Sequence, residues 1–299
     1  PPHLGGGGGG GGEVVRGGGG GVGVLRFNGA GEKIDAYSIL ENTTQNCAGG
    51  ATPWGTWLSC EEFDRGQVFE CDPYGKSPAK VRPALGIFKH EAVAVDLRGD
   101  ALYLTEDLPD GGLYRFVSER GLPDLTAGDL EIASLIERDG RSYLSWHKVP
   151  DPLANEAPTR HQVESHASFN GGEGIVFHRG DVFFSTKGDN RVWCYDTDSG
   201  EIDIIYDMRE SENAILSGVD NLAITPAGDV LVAEDGGNMQ IVAITPNHQV
   251  MPVVQVVGHD RSEICGPAFN SSHNRLYFSS QRGETGSNTD GVIFEISQA

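Results

Sequence analysis

The sequence lacks long apolar runs and is poor in aromatic residues, which make up 8% of its 299 residues. No stretch approaches the roughly 18 consecutive apolar residues that form a membrane-spanning helix. Neither a heptad repeat nor a three-residue glycine period is present, which excludes coiled-coil and collagen-like chains. The chain is instead rich in glycine (43) and proline (15), a composition typical of many short elements joined by turns.

Basic residues are also scarce, with 22 Lys and Arg against 43 Asp and Glu and a formal charge of −21. Such a charge repels nucleic-acid phosphates and anionic lipid surfaces, so neither is expected as a partner. The excess carboxylates form either a solvated acidic surface or clusters that bind cations, and composition alone leaves both open.

The five cysteines include no CxxC pair, and their odd number does not close into a complete set of disulfides. The sequence shows no GxSxG elbow, HExxH motif or Walker loop. It begins Pro1-Pro2-His3-Leu4, without the pattern of a secretory signal. Residues 1–21 carry the glycine tracts Gly5–Gly12 and Gly17–Gly21, which predict a flexible arm and offer a route to self-association.

A unit of short strands recurs through residues 22–299. One copy begins at Glu91, turns at Gly99-Asp100 and reaches Glu106-Asp107, and three more begin near Glu173, Asp220 and Gly266. Lys187, Glu234 and Gln281 follow one another at intervals of 47 residues. A period of roughly 40 to 50 residues is that of a four-stranded propeller blade.

The repeats predict an all-β protein, a six-bladed β-propeller whose first blade is incomplete because its inner strand falls in the glycine tract. A β-sandwich of similar strands is the alternative. An insertion at about residues 118–170 breaks the period and contains a helix-compatible segment, Asp124–Arg138. Long insertions often cover a site, so this one is a candidate lid.

In an antiparallel blade, the start of the innermost strand and the end of the second strand lie at the same end. The acidic residues at these positions should therefore face one mouth of the central channel. Each one taken singly is also consistent with a turn carboxylate that caps backbone amides. Many carboxylates at one mouth would repel one another unless cations bind, and calcium suits such oxygen ligands.

Cys47 lies in the glycine-bearing segment Asn46–Gly50 and would add a soft thiolate to this mouth. A thiolate favours a transition metal such as iron, whereas a small buried cysteine is the structural alternative. Lys187 and Arg282 are the basic residues nearest the mouth by register. They either bind an anionic substrate or are ordinary surface charges.

Several segments resemble the PhoX-type alkaline phosphatases, calcium-dependent phosphomonoesterases on a six-bladed propeller. The similar segments are Asn46–Gly50, Thr52–Glu62, Lys89–Glu91, Leu104–Asp107, Gly218–Leu222 and Ala233–Gly236. The resemblance extends over most of residues 22–298. It implies a cluster of iron and calcium ions joined by a bridging oxygen.

By matching motif, the resemblance implies that the inner catalytic ligands are Cys47, Glu62, Glu91 and Glu173. It also implies supporting or calcium-binding roles for Glu61, Glu106, Asp220, Asn221 and Glu234. Two features depart from the family. Gly171-Gly172 precede Glu173 where the family tends to carry Arg-Pro, and Glu13 is the only candidate for a further acidic residue of the first blade.

The sequence thus favours a metal-dependent phosphoesterase that acts on a small phosphorylated substrate, with calcium and iron as cofactors. Two other classes remain: a non-catalytic propeller that calcium stabilises, and a calcium-dependent lactonase. Calcium abundance and the family resemblance favour a periplasmic or extracellular location, whereas unpaired thiols argue against a strongly oxidising one.

Overall fold

A computed structural model describes residues 3–6, 19–211 and 214–297 of the chain. The part of the chain described contains β-strands and two short 3₁₀ helices, Pro83–Leu85 and Thr159–Gln162, but no α-helix. It also contains no helix long and apolar enough to cross a membrane. The greater part of the predicted flexible arm, and with it Glu13, falls outside the described residues.

The strands of the first half of the chain are β1 (His3–Gly6), β2 (Gly20–Phe27), β3 (Lys33–Thr43), β4 (Gly50–Ala51), β5 (Trp57–Cys60), β6 (Val68–Cys71), β7 (Lys80–Val81), β8 (His90–Asp96), β9 (Ala101–Glu106), β10 (Leu113–Ser118), β11 (Gly128–Arg138) and β12 (Arg141–Lys148). The remaining described strands are β13 (Gly172–His178), β14 (Asp181–Thr186), β15 (Arg191–Asp196), β16 (Ile202–Asp207), β17 (Val219–Ile224), β18 (Val230–Glu234), β19 (Gln240–Ile244), β20 (Val250–Gln255), β21 (Ile264–Phe269), β22 (Arg275–Ser280) and β23 (Val292–Ser297).

Five antiparallel sheets follow one another around a ring, which makes the protein an all-β propeller. In chain order, these blades are β4–β7, β8–β12, β13–β16, β17–β20 and β21–β23. Their innermost strands contact one another in that same order. The turns between strands have the expected chemistry: at the first turn of the β8–β12 blade, Asp96 accepts the amide of Arg98 at 2.8 Å, and Asp100 adopts a φ of +49°.

The prediction of six blades is wrong, because the described residues form five. The remaining sheet, β1–β3, is a long hairpin with one four-residue strand from the glycine-rich segment. It fills the gap in the ring: Val22 and Leu40 pack with Cys71 of the first blade, and Arg275 of the last blade donates to the carbonyl of Ala30 at 3.0 Å. Glycines supply no side chains that a complete blade would bury.

The insertion extends a blade instead of forming a helix. β11 and β12 add two strands to β8–β10, so that this sheet has five. Leu130 and Ile132 are buried whereas Asp129 is exposed, an alternation that belongs to a strand. The rest of the insertion returns through the 3₁₀ helix Thr159–Gln162 to the start of β13.

The innermost strands enclose a central cavity of about 910 Å³. Its lining is mostly small or apolar and comes from β2 and from the innermost strands of all five blades. Cys47, Asn221 and Glu263 also line it. Thus the cavity connects the apolar core of the ring with the group of polar residues described next.

Candidate metal centre

Each of four innermost strands contains a shift in register near its start, and three of the acidic residues lie there. The shifts fall between His90 and Val93 in β8, Gly172 and Ile175 in β13, Val219 and Leu222 in β17, and Cys265 and Ala268 in β21. Such bulges re-aim side chains and are common next to functional sites. Here they contain Glu91, Glu173 and Asp220.

Cys47 occupies the same register position in the β4–β7 blade. Its neighbour Asn46 pairs with Glu61 just as His90, the neighbour of Glu91, pairs with Glu106. The amide of Cys47 also donates to the carbonyl of Cys60 at 2.9 Å, which fixes the thiol next to the blade. Four blades therefore deliver one potential ligand each from an equivalent place.

These side chains converge in space. Ligand atoms of Glu91, Glu173 and Asp220 lie within 4.8 Å of one another, and so do those of Cys47, Glu62 and Glu91. Glu91 belongs to both groups, and the Cys47 thiol donates to its Oε1 at 3.0 Å. The two groups thus form one continuous cluster, which we call the acidic mouth.

Burial and mutual repulsion raise the pKa values of four members of this cluster, Cys47, Glu91, Glu173 and Asp220. Burial and the nearby Glu62 and Asp220 raise the pKa of Glu91 well above its usual range, and burial with Asp220 does the same for Glu173. Burial raises the pKa of Asp220 to about 6. The pKa of the Cys47 thiol also rises, through burial and then through Glu91. A bound cation would reverse these shifts, because it favours the charged forms.

Glu91 supplies a direct sign that the acidic mouth fits a cation. Its side chain is fully buried, yet its Oε2 has no hydrogen-bond partner among the described residues. A buried carboxylate oxygen without a partner is costly in free energy. Carboxylate oxygens suit calcium, and the Cys47 sulfur suits a softer transition metal, so the donor set present fits a calcium and iron centre.

Three of the predicted ligands accept hydrogen bonds from backbone amides. Glu61 accepts the amides of Thr44 (2.8 Å) and Gln67 (3.2 Å). Glu234 accepts those of Ser217 and Gln240, each at 2.9 Å. In both residues, the two carboxylate oxygens accept amides from the two corresponding loops of their blade. This is how a turn carboxylate caps backbone amides.

Glu106 is the third of these residues. We call Glu61, Glu106 and Glu234 the bracing carboxylates, because each holds neighbouring parts of the chain by hydrogen bonds. It accepts bonds from the amide of Gly112 and the hydroxyl of Tyr114, each at 2.9 Å, and its other oxygen contacts Arg160 at 3.0 Å. In this structure both oxygens of Glu61, Glu106 and Glu234 are engaged by other parts of the chain, and metal binding by these three residues stays a prediction.

The residue after each bracing carboxylate faces the acidic mouth. Glu62, Asp107 and Asp235 stand at this position, and each contacts a lysine of the mouth. Successive residues of a strand point to opposite sides, so only one member of each acidic pair reaches the mouth. The pairs Glu61-Glu62, Glu106-Asp107 and Glu234-Asp235 were visible in the sequence, but the choice of Asp107 and Asp235 needed the register.

Lys187 and Arg282 lie at the mouth, as predicted, but among carboxylates. The Lys187 Nζ is 3.1 Å from Glu173, 3.1 Å from Asp220 and 2.8 Å from Asp235. Arg282 contacts Glu263 at 3.2 Å and Asp235 at 3.5 Å. Both cations are therefore engaged by the protein itself.

Asn221 positions its neighbour. Its Nδ2 donates to Asp220 at 2.8 Å, and its Oδ1 accepts the amide of Gly266 at 2.8 Å. The amide thus ties the bulge of β17 to that of β21. Lys89 acts similarly on the other side, bridging Glu62 (3.1 Å) and Asp107 (2.7 Å).

Comparisons with known proteins show the family and the fold of the chain. The family model "Alkaline phosphatase PhoX" matches residues 17–66 and 63–214. PhoX of Pseudomonas fluorescens, solved with vanadate as a transition-state analogue, superimposes with a TM-score of 0.75 at 19% identity, over 93% of this chain and 80% of that chain.

Two other solved structures are similar in fold. The nidogen/laminin complex contains a chain with a TM-score of 0.59 at 10% identity, over 93% of this chain and 86% of that one. A luciferin-regenerating enzyme gives 0.52 at 13% identity, over 92% and 84%. No curated protein sequence matches this one. Since the family model spans well over half of the sequence, the chain belongs to the alkaline phosphatase PhoX family.

Proposed function

We propose that this chain is a metal-dependent phosphomonoesterase whose reaction takes place at the acidic mouth. The observation that carries the proposal is the convergence of Cys47, Glu91, Glu173 and Asp220, together with a buried oxygen of Glu91 that has no partner among the described residues. Membership of the phosphatase family supports the same reaction class.

Cys47, Glu62, Glu91, Glu173 and Asp220 would hold the metal ions. Calcium and iron at this place would supply charge neutralisation for the phosphoryl oxygens and an activated oxygen nucleophile. The thiol of Cys47 would direct iron to its own side of Glu91, because a thiolate prefers the softer ion.

The remaining residues of the mouth orient these donors. Asn221 fixes one oxygen of Asp220 by its amide, and Lys89 holds Glu62 and Asp107. Lys187 and Arg282 limit the net negative charge where a phosphorylated substrate would enter, which lowers the electrostatic barrier to an anion. Because Lys187 and Arg282 are already paired with carboxylates, the metal ions, and not these two side chains alone, would bind the phosphoryl group.

The test is hydrolysis of a generic aryl phosphate by the purified chain supplied with calcium and iron. We expect phosphate release that chelation abolishes and that the two ions together restore. Glu91→Ala and Glu173→Ala should lower turnover by more than about 100-fold, since loss of ligand-shell residues has effects of this size or greater. Turnover no higher than in these variants would reject the enzyme and leave a propeller that metal only stabilises.

Cys47→Ser separates the two proposed metals. The serine oxygen is a harder ligand, so we expect the purified variant to lose iron while it retains calcium. Elemental analysis of both proteins provides the readout. Equal iron content in the two would remove Cys47 from the ligand set. The proposed location, periplasmic or extracellular, fits calcium-dependent chemistry and is tested by fractionating the cells that produce the protein.

A further inference from the structure

Lys187 stands where three other blades place a carboxylate. The residue after the bracing position is Glu62, Asp107 or Asp235 in those blades and Lys187 in the β13–β16 blade, where Thr186 takes the bracing position opposite Gly172. The 47-residue spacing had aligned Lys187 with Glu234, but the register aligns it with Asp235. The β13–β16 blade therefore carries a positive charge at a position where three other blades carry a negative one.

The ammonium lies at the centre of three carboxylates. Its distances to Glu173, Asp220 and Asp235 are between 2.8 and 3.1 Å, and its side chain is 36% exposed. Three anionic oxygens around one centre are also what a divalent cation requires.

The other half of the acidic mouth has no such ammonium. Lys89 contacts Glu62 and Asp107, but among the described residues no ammonium is paired with Glu91, and the buried Oε2 of Glu91 has no partner there. A divalent ion beside Glu91 therefore gains an oxygen that nothing else satisfies. An ion between Asp220 and Asp235 would instead meet the Lys187 ammonium at close range and be repelled.

We propose that the Lys187 ammonium takes the place of a divalent ion between Asp220 and Asp235 and confines metal binding to Cys47, Glu62 and Glu91 and their junction with Glu173 and Asp220. The inference deepens the proposed function, on whose metal centre it rests. It concerns the number of ions that the chain binds, so it is tested by binding and does not depend on turnover.

The experiment compares calcium stoichiometry by equilibrium dialysis in the full chain and its variants. We expect Lys187→Met, similar in length but uncharged, to bind one more calcium per chain than the original protein. Lys187→Arg, the matched control, should keep the original number. Adding Asp235→Asn to Lys187→Met should remove the extra ion. Equal stoichiometry in the original protein and Lys187→Met would overturn the proposal.

A second measurement uses the unaltered protein and decides the question should Lys187→Met not fold. Acylation of lysines, read by mass spectrometry, should leave Lys187 protected relative to the exposed Lys33 and Lys80. We expect this protection both in chelator and in calcium, because the ammonium stays in place. If calcium made Lys187 as reactive as Lys80, a metal ion would be displacing it, and the proposal would be wrong.

If phosphate esters were not hydrolysed but Lys187→Met still gained a calcium ion, only the proposed function would fail. If hydrolysis were confirmed while the stoichiometry was unchanged, only the role of Lys187 would fail. The two results are therefore distinguishable.

Discussion

At the scale of single residues, one position along a strand separates a structural carboxylate from a candidate ligand. Glu61 and Glu62 are adjacent, yet Glu61 accepts two backbone amides while Glu62 belongs to the cluster of Cys47 and Glu91. The chemistry of the two side chains is the same. Their different environments come from the alternation of side chains along a strand.

Glu91→Gln should lower metal affinity and, in the absence of metal, leave the fold as stable or more stable. The reason is that the amide cannot ionise, so the variant never carries a buried charge beside the other carboxylates, and the cost of one unsatisfied buried polar group is about 1 to 3 kcal/mol. Denaturant unfolding in chelator, together with calcium titration, measures both effects. A variant that is less stable in chelator and binds calcium unchanged would contradict this role of Glu91.

Glu106→Gln is the matched control, because it changes a buried glutamate of the same sheet that holds backbone and Arg160 instead of facing the cluster. Breaking a buried ion pair costs about 3 kcal/mol or more. We therefore expect a lower free energy of unfolding and unchanged calcium stoichiometry. Loss of calcium at unchanged stability would show instead that Glu106 is a ligand.

At the scale of elements, bulges near the starts of the innermost strands place the acidic groups, and small residues allow those strands to approach. In β13, Gly174 follows Glu173 and faces the neighbouring bulge of β17. A Cβ at Gly174 would lie 2.4 Å from the amide nitrogen of Leu222 and 2.8 Å from Asn221. The close approach thus sets the distance between Glu173 and Asp220.

Gly174→Ala should therefore disturb two ligands at once. Overpacking of this kind costs about 1 to 3 kcal/mol, and the backbone atoms it meets leave little room to relax. We expect a lower melting temperature together with weaker calcium binding. Gly140→Ala, in a turn where a Cβ meets nothing within 4 Å, is a comparison for glycine strain alone, with a φ of +75°. Calcium binding unaffected by Gly174→Ala would contradict the account.

The insertion is fastened to the blade beside the mouth. Arg160 contacts both Glu106 and Asp110 at 3.0 Å, and Thr159 bonds to the hydroxyl of Tyr114 at 2.9 Å. The segment therefore forms a fixed wall at one side of the mouth, where the sequence predicts a lid.

Arg160→Met should release this wall, because it leaves Glu106 without its charged partner. We expect a loss of about 3 kcal/mol in the free energy of unfolding and earlier proteolysis within residues 149–171. Limited proteolysis followed by mass spectrometry locates the cuts. Cleavage at the same rate and sites as in the original protein would show that the segment is held by other contacts.

At the scale of the whole molecule, the sequence predicts the class of fold and much of the site, but not their register. Strand patterns and turn residues are local, so the propeller and the meeting of Glu91, Glu173 and Asp220 follow from them. The number of blades does not, because the glycine tract carries no pattern. Nor does the choice between Glu106 and Asp107, which depends on bulges that shift pairing by one residue.

The clustering of carboxylates also predicts how pH affects the metal-free protein. Burial, with Asp220 and Asp235 nearby, raises the pKa of Glu263 from 4.5 to about 8, and burial raises that of Asp220 from 3.8 to about 6. The folded chain therefore binds these protons more tightly than the unfolded chain. Stability contributed by the protonated forms is lost as pH rises through this window.

We accordingly expect the melting temperature in chelator to fall between pH 5 and pH 8, where these groups ionise in the fold. Calcium should raise the melting temperature much more at pH 8 than at pH 5, because it binds the ionised forms. Scanning calorimetry at both pH values, with chelator and with calcium, measures the effect. A melting temperature in chelator that rises between pH 5 and pH 8 would contradict this prediction.

The central claim is that the acidic mouth holds metal ions that hydrolyse phosphate esters. The most direct measurement is elemental analysis of the purified full chain alongside phosphate release, repeated after chelation and after the ions are restored. We expect bound calcium with iron, and turnover that disappears and returns with them. A chain that hydrolyses phosphate esters equally well after its metals are removed, or that binds neither ion, would contradict it.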